Sequence, residues 1–307
     1  MFPIIPANSV AASAGNSEGI FGFGYRPSYT AVTNLVSNAG VISSDVAGVG
    51  TARRFIKACE YGGDKGIFGF GYDGSVTAVT NLVSNTGVVA SDTAGVGTAR
   101  RKLAACSYGS DKGIFGFGTT GSDVSTTNLV SNTGVVASDT AGVGTARQIL
   151  GACEYGDDKG IFGFGGIGGE SGKVSITNLV SNTGVVASDQ AATTGMARAW
   201  IAACSYGSDK GIFGFGFSWP EGGGDVSVTN LVSNTGVVSS DVSGVGTVRY
   251  ALAACEYDTD KGIFGFGEEQ AGGLAVTNLV SNEGVVASDQ AATTGTARRE
   301  LGACSFN

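Results

Sequence analysis

The stretch from Thr98 to Gly144 reads TARRKLAACSYGSDKGIFGFGTTGSDVSTTNLVSNTGVVASDTAGVG, and at Thr145 the same text begins again. A unit that recurs at this length is a structural repeat, and it decides the architecture before local propensity is consulted. The string GIFGFG begins at Gly19, Gly66, Gly113, Gly160, Gly211 and Gly262, in steps of 47, 47, 47, 51 and 51 residues. TNLVSN begins at Thr33, Thr80, Thr127, Thr177, Thr229 and Thr277. A Ser-Asp pair follows, ending at Asp45, Asp92, Asp139, Asp189, Asp241 and Asp289. An arginine comes next (Arg53, Arg100, Arg147, Arg198, Arg249, Arg298), with a cysteine six residues beyond each.

Each unit parses into four short segments, RKLAACSY, KGIFGFG, VTNLVSN and GVVAS, rich in Val, Ile, Phe and Thr and bounded by Gly, Asn, Asp and Ser. Those are strand and turn signals. No segment carries a capped helical period. Four short antiparallel strands repeated six times predict an all-β chain: a six-bladed β-propeller of four-stranded antiparallel blades. A stacked solenoid is the alternative. Ser9 to Ala14 falls where a first strand of the first unit belongs, but matches the consensus poorly; Arg298 to Phe306 matches well and has no partner after it. The C-terminal strand is therefore expected to join the first blade and close the ring. This leaves residues 1–14 as an N-terminal arm and 15–307 as the propeller.

Composition narrows the chemistry. The chain of 307 residues has no histidine, which removes Ser-His-Asp and Cys-His catalysis and histidine-ligated metals. A net charge of -8 with only 14% charged residues argues against nucleic acid as a partner. No apolar run reaches the ~18 residues of a membrane helix, so no membrane insertion is expected. The opening MFPIIPANSV lacks the basic region of a standard signal peptide.

The recurring residues read as architecture. One cysteine per unit, as at Cys106, sits at the same place in successive strands, too far from its counterparts for disulfides and too dispersed for zinc. It reads as a small buried side chain, in keeping with a reducing compartment. Asp92 is expected to hold Arg100, or a neighbouring backbone, at a blade junction. The glycines of GIFGFG have the wrong spacing for a dinucleotide loop and no helix after them; Gly69 is expected to leave space for the adjoining sheet. Asn81 and Asn85 read as turn and strand-end residues. No catalytic residue, cofactor or metal site is expected, and the chain reads as a non-enzyme.

Symmetry breaks in the connection after GIFGFG and in the one after GVVAS, which a propeller brings to one face. The candidate binding residues there are Tyr25, Arg26, Tyr29, Asp73, Lys173, Trp219 and Glu221. Exposed aromatics beside polar groups suit a sugar or a protein surface.

The order of an arginine-led strand, a glycine-ended second strand and two further strands resembles kelch repeats. The unit departs from them in ending its second strand Gly-Phe-Gly and in carrying Val-Val in its fourth. The opening MFPIIPANS, with the IFGFG and TNLVSNTGVV strings, resembles virion and tail proteins of tailed bacteriophages. The resemblance implies a structural or adhesin-type attachment component of a phage-like particle, assembled in the host cytoplasm. Its arm would dock on other virion or scaffold proteins and its variable face would meet a cell-surface glycan or protein. A lectin-like or protein-binding propeller outside any virion, cytoplasmic or secreted, is the other expectation.

Overall fold

The computed structural model describes residues 17–306 except 170, 192, 194, 219–222, 271 and 291–294. The proposed arm, residues 1–14, lies outside the described residues, as do Trp219 and Glu221. The described chain is all-β, with no helix. Its strands form six three-stranded antiparallel sheets, one per repeat.

The second sheet sets the pattern. Lys57–Tyr61 pairs with Lys65–Tyr72, which pairs in turn with Val76–Val83. Cys59 lies opposite Ile67, and Phe68 opposite both Ala58 and Asn81. The third sheet is Ala104–Tyr108, Lys112–Gly116 and Thr127–Val130. The fourth is Gly151–Tyr155, Lys159–Gly163 and Thr177–Val180. The fifth is Ala202–Tyr206, Lys210–Ser218 and Gly224–Val232. The sixth is Ala253–Tyr257, Lys261–Gly265 and Thr277–Val280. The first sheet draws on both ends of the chain: Gly302–Phe306 pairs with Glu18–Gly22, Gly22 facing Gly302, and Thr33–Val36 takes the other side.

The expected fourth strand does not form a regular ladder. GVVAS makes isolated bridges, Val83 with Val89 and Thr80 with Thr93. Between them the register slips by one residue: Ala90 N donates to Leu82 O, while Thr80 and Thr93 exchange both bonds. Side chains cause the slip. Asn81 Nδ2 donates to Ala90 O at 3.0 Å, and past the one extra residue the Asp92 carboxylate meets Thr51. The expected four-stranded blades are thus three-stranded sheets with a bulged edge.

GIFGFG also does not run as a regular strand: it is cut short after its second glycine in four units and bulged there in the second and fifth. Its second phenylalanine is left-handed in every unit, as at Phe70 (φ 63°), and the glycine after it has φ near 110°, as at Gly71 (φ 113°). A left-handed phenylalanine costs roughly 1–2 kcal/mol, which complete burial of its ring offsets. Pairing resumes past this kink in the second and fifth sheets, giving two longer hairpins. Smaller hairpins, Gly166–Ile167 with Gly172–Lys173 and Glu268–Glu269 with Gly272–Gly273, follow it in the fourth and sixth units.

The core lies between successive sheets. The Phe115 ring of the third sheet fills the space over Gly69 of the second, where an added Cβ would stand 2.7 Å from Phe115 Cζ. Phe68 covers Gly22 in the same way, and Phe21 of the first sheet covers Gly265 of the sixth. The cysteines fit the reverse contact: Cys59 Sγ lies against Gly113, Cys304 Sγ against Gly66 and Cys255 Sγ against Gly19. All six are buried free thiols. The leading strands of all six sheets line one narrow channel, with alanines in its middle.

Candidate binding site at one end of the channel

The site is built on the repeated arginine. Arg53 is fully buried. Its Nε donates to Phe70 O at 2.9 Å, Nη1 to Thr51 O and Nη2 to Asn81 Oδ1 at 2.6 Å. Its guanidinium lies 4.5 Å from the ring centre of Phe23 in the preceding sheet, and each counterpart covers the equivalent phenylalanine. Burial pulls Arg53 down to about 10, with Asp92 and Asp73 opposing, so it stays protonated at neutral pH. Asp92 accepts from Thr51 N and Oγ1 and from Asn81 Nδ2. Of the two expected partners for Asp92, the structure gives the neighbouring backbone, Thr51 N, and not Arg100; the arginine beside it is the one that opens its own sheet, 3.9 Å away. Arg100 belongs with Asp139, whose carboxylate accepts from Thr98. The terminal segment follows the same rule: Thr296 donates to Asp45 and Arg298 Nε to Phe23 O.

This anchoring fixes the two residues after each arginine. The second of them is left-handed in every unit: Phe55, Lys102, Ile149, Trp200, Ala251 and Glu300 have φ between 54° and 60°. Lys102 N donates to Phe55 O, Ile149 N to Lys102 O, Trp200 N to Ile149 O, Ala251 N to Trp200 O, Glu300 N to Ala251 O and Phe55 N to Glu300 O. Every backbone in this circuit both donates and accepts, so its hydrogen bonds are made by the main chain and do not depend on the side chain carried. Six different residue types occupy it.

Those side chains meet at the channel mouth. The rings of Phe55 and Trp200 lie 5.8 Å apart, with Lys102 Nζ 5.2 and 4.8 Å from them. Stacking continues both ways. Trp200 meets Tyr250, Tyr250 meets Phe217, and Lys173 lies 4.9 Å from the Phe217 ring. On the other side Phe55 meets Arg54, which lies 5.0 Å from Tyr25, 5.5 Å from Tyr29 and 5.8 Å from Tyr72. Arg101 lies 4.7 Å from Tyr72, and Arg299 lies 4.9 Å from Tyr25. Arg54 pairs with Glu300, and Arg299 with Glu268. Burial pushes the Glu300 carboxyl up, and Arg54, Arg299 and Lys102 pull it back. Lys57 also lines the mouth, and burial lowers its amine to about 8.

The track thus joins Tyr25, Tyr29 and Lys173 of the sequence-derived candidates. Arg26 sits beside them, 3.7 Å from Asp45. Asp73 caps a turn by accepting from Ser75 and stands next to Tyr72. Arg54, Phe55, Arg101, Lys102, Trp200, Tyr250, Arg299 and Glu300 escaped the sequence reading. Their signal was present: the two positions after each repeated arginine vary inside an otherwise fixed text.

The far end of the channel differs. Glu60, Glu154 and Glu256 alternate around it with Ser107, Ser205 and Ser305. Burial, then the charge of Glu60, pushes the Glu154 and Glu256 carboxyls well up. Among the described residues no group of three His, Cys, Asp or Glu is placed to hold a metal ion, and no helix is long and apolar enough to cross a membrane. No protein-family model and no curated protein matches the chain.

Proposed function

We propose that the six sheets close into a six-bladed propeller, and that the protein is a non-catalytic attachment module acting through the end that carries the stacked track. The ring is supported by the pairing of Glu18–Gly22 with Gly302–Phe306, by the Phe21–Gly265 contact and by the backbone circuit at the mouth. One observation carries the functional reading. Of the 18 lysines and arginines, six are the buried repeat arginines and five are turn lysines after aspartate. The remaining seven, Arg26, Arg54, Lys57, Arg101, Lys102, Lys173 and Arg299, all meet the mouth or its rim. Repeat packing does not require them there. Cations interleaved with Tyr, Trp and Phe are the usual substance of a recognition surface on a rigid scaffold. We read the setting as a phage-like particle, with residues 1–14 docking on another virion protein, from the kelch-like order of the unit and the likeness of the opening string to tail and virion proteins.

The test is adsorption of the purified chain to bacterial cells and to a glycan array. A variant with Tyr29→Ala and Arg101→Gln, checked for an unchanged melting curve, is expected to lose adsorption. Asp64→Asn, in the turns away from the mouth, is expected to keep it. Equal adsorption by both variants contradicts the reading.

A further inference from the structure

Beside the mouth lies a cleft of about 280 Å3, walled by Tyr25, Arg26 and Pro27 and by Gly273, Ala297 and Arg299. We propose that this cleft is a subsite for one acidic sugar ring, its carboxylate or sulfate held between Arg26 and Arg299. The proposal rests on the attachment reading and names its ligand class.

Size comes first. Ligand pockets for drug-sized molecules run from about 300 Å3 upward, so this cleft suits one ring rather than a chain buried whole. Its walls combine a tyrosine, a proline and two small residues with two guanidinium groups, which is amphipathic in the way a sugar is. The cations have donors to give. A guanidinium has five N–H groups. Arg299 Nη1 engages Glu268, whereas its Nε is buried with no hydrogen-bond acceptor and lies 3.8 Å from Glu300 Oε1. Arg26 is partly exposed, and its 3.7 Å contact with Asp45 is longer than a hydrogen bond. Asp45 is already engaged by Thr296 and Asn34. Arg26 is thus the fork with donors free for a bidentate oxyanion, and Arg299, although it holds Glu268, adds a second cationic group to the lining. The overall charge of -8 does not prevent this, because charges beyond ~8 Å are largely screened at physiological salt. Repulsion from the rest of the surface does disfavour a long polyanion. That favours a single acidic residue within a glycan over a nucleic acid.

The experiment is isothermal titration of the full chain with an oligosaccharide carrying one glucuronate residue, its carboxyl-reduced form, a galactose oligosaccharide carrying one sulfate and inorganic sulfate. The glucuronate or the sulfated oligosaccharide is expected to bind, and the better of the two identifies the oxyanion. The carboxyl-reduced form and free sulfate are expected to bind at least roughly tenfold more weakly. Arg26→Gln should weaken the acidic ligand by a similar factor, and Ala297→Phe, which fills the cleft, should abolish binding while the melting temperature stays put. Equal binding of the neutral form, indifference to both substitutions, or no binding of any acidic sugar overturns the proposal. The attachment reading is judged separately: adsorption that Tyr29→Ala with Arg101→Gln removes and Arg26→Gln spares leaves it standing without this subsite.

Discussion

Asn81, like Asn278 of the sixth sheet, ties the repeated arginine to the repeated aspartate; of these two links the other four asparagines keep only the bond to the aspartate. Asn81 has no exposed surface, and it bridges a buried arginine to a carboxylate: Oδ1 takes Arg53 Nη2 and Nδ2 gives to Asp92. Replacing it with alanine strands the Arg53 donor in the core. Asn81→Ala is expected to cost about 2–4 kcal/mol in guanidinium unfolding, against less than ~0.5 kcal/mol for exposed Asn85→Ala. The recurrence of Asn, Asp and Arg was legible in the sequence, and so was their structural character. Their partnership was not, because the carboxylate reaches back across three strands to the arginine that opens the unit, and proximity along the chain suggested the one that follows. The carboxylates also set the acid limit of stability. Partial burial opposes ionisation of Asp45, Asp92, Asp139, Asp189 and Asp289, but hydrogen bonds from threonine and asparagine, with the arginines, hold them below the usual range. A depressed carboxyl contributes stability that is present above its unfolded value, about 3.9, and lost as pH falls through the folded one. The channel glutamates have the opposite sign. With a raised folded value, Glu154 favours folding least once pH has risen through it. Glu154→Gln should raise the melting temperature at pH 8 and leave it nearly unchanged at pH 4; a gain of equal size at both values contradicts the assignment.

At the scale of the strand, packing is decided by where glycine stands. GIFGFG alternates glycines that admit a neighbour with large residues that enter one. Gly69 is the place where the Phe115 ring comes closest, so Gly69→Ala overpacks a filled interface and should cost about 1–3 kcal/mol. Phe115→Leu should relieve part of that cost, and a double-mutant cycle of chemical unfolding measures it. Full additivity of the two substitutions contradicts the contact. That GIFGFG packs between sheets followed from its residue types. The kink within it did not, because phenylalanine rarely accepts a left-handed backbone and only the arginine bound to its carbonyl explains why it does so here. The fourth strand was misjudged for a related reason. Val-Val reads as a strand locally, yet the Asn81 side chain takes the carbonyl that a regular edge would have offered.

At the scale of the molecule, repetition and asymmetry divide the work. Six copies of one packing solution bury the repeated arginines, phenylalanines and cysteines, and the backbone circuit at the mouth lets six unlike residues share one end. The variable connections, which the sequence marked as the place to look, bring Tyr25, Tyr29 and Lys173 to that end. The residues they meet come from the start of the next strand, inside the repeat, where conserved text on either side hid the variation. The account rests on closure of the sheets into a ring, since only closure gathers unlike residues from sheets two and five at a common mouth. The six equivalent valines of the outer turns, among them Val41, Val88, Val185 and Val285, are 62–66% exposed and suit spin labels, because the native thiols are buried. Pulsed electron resonance on labelled pairs is the direct measurement. The Val41–Val285 distance should equal the Val41–Val88 distance, with Val41–Val185 the longest of the three. A Val41–Val285 distance longer than Val41–Val185 means an open array and contradicts the ring.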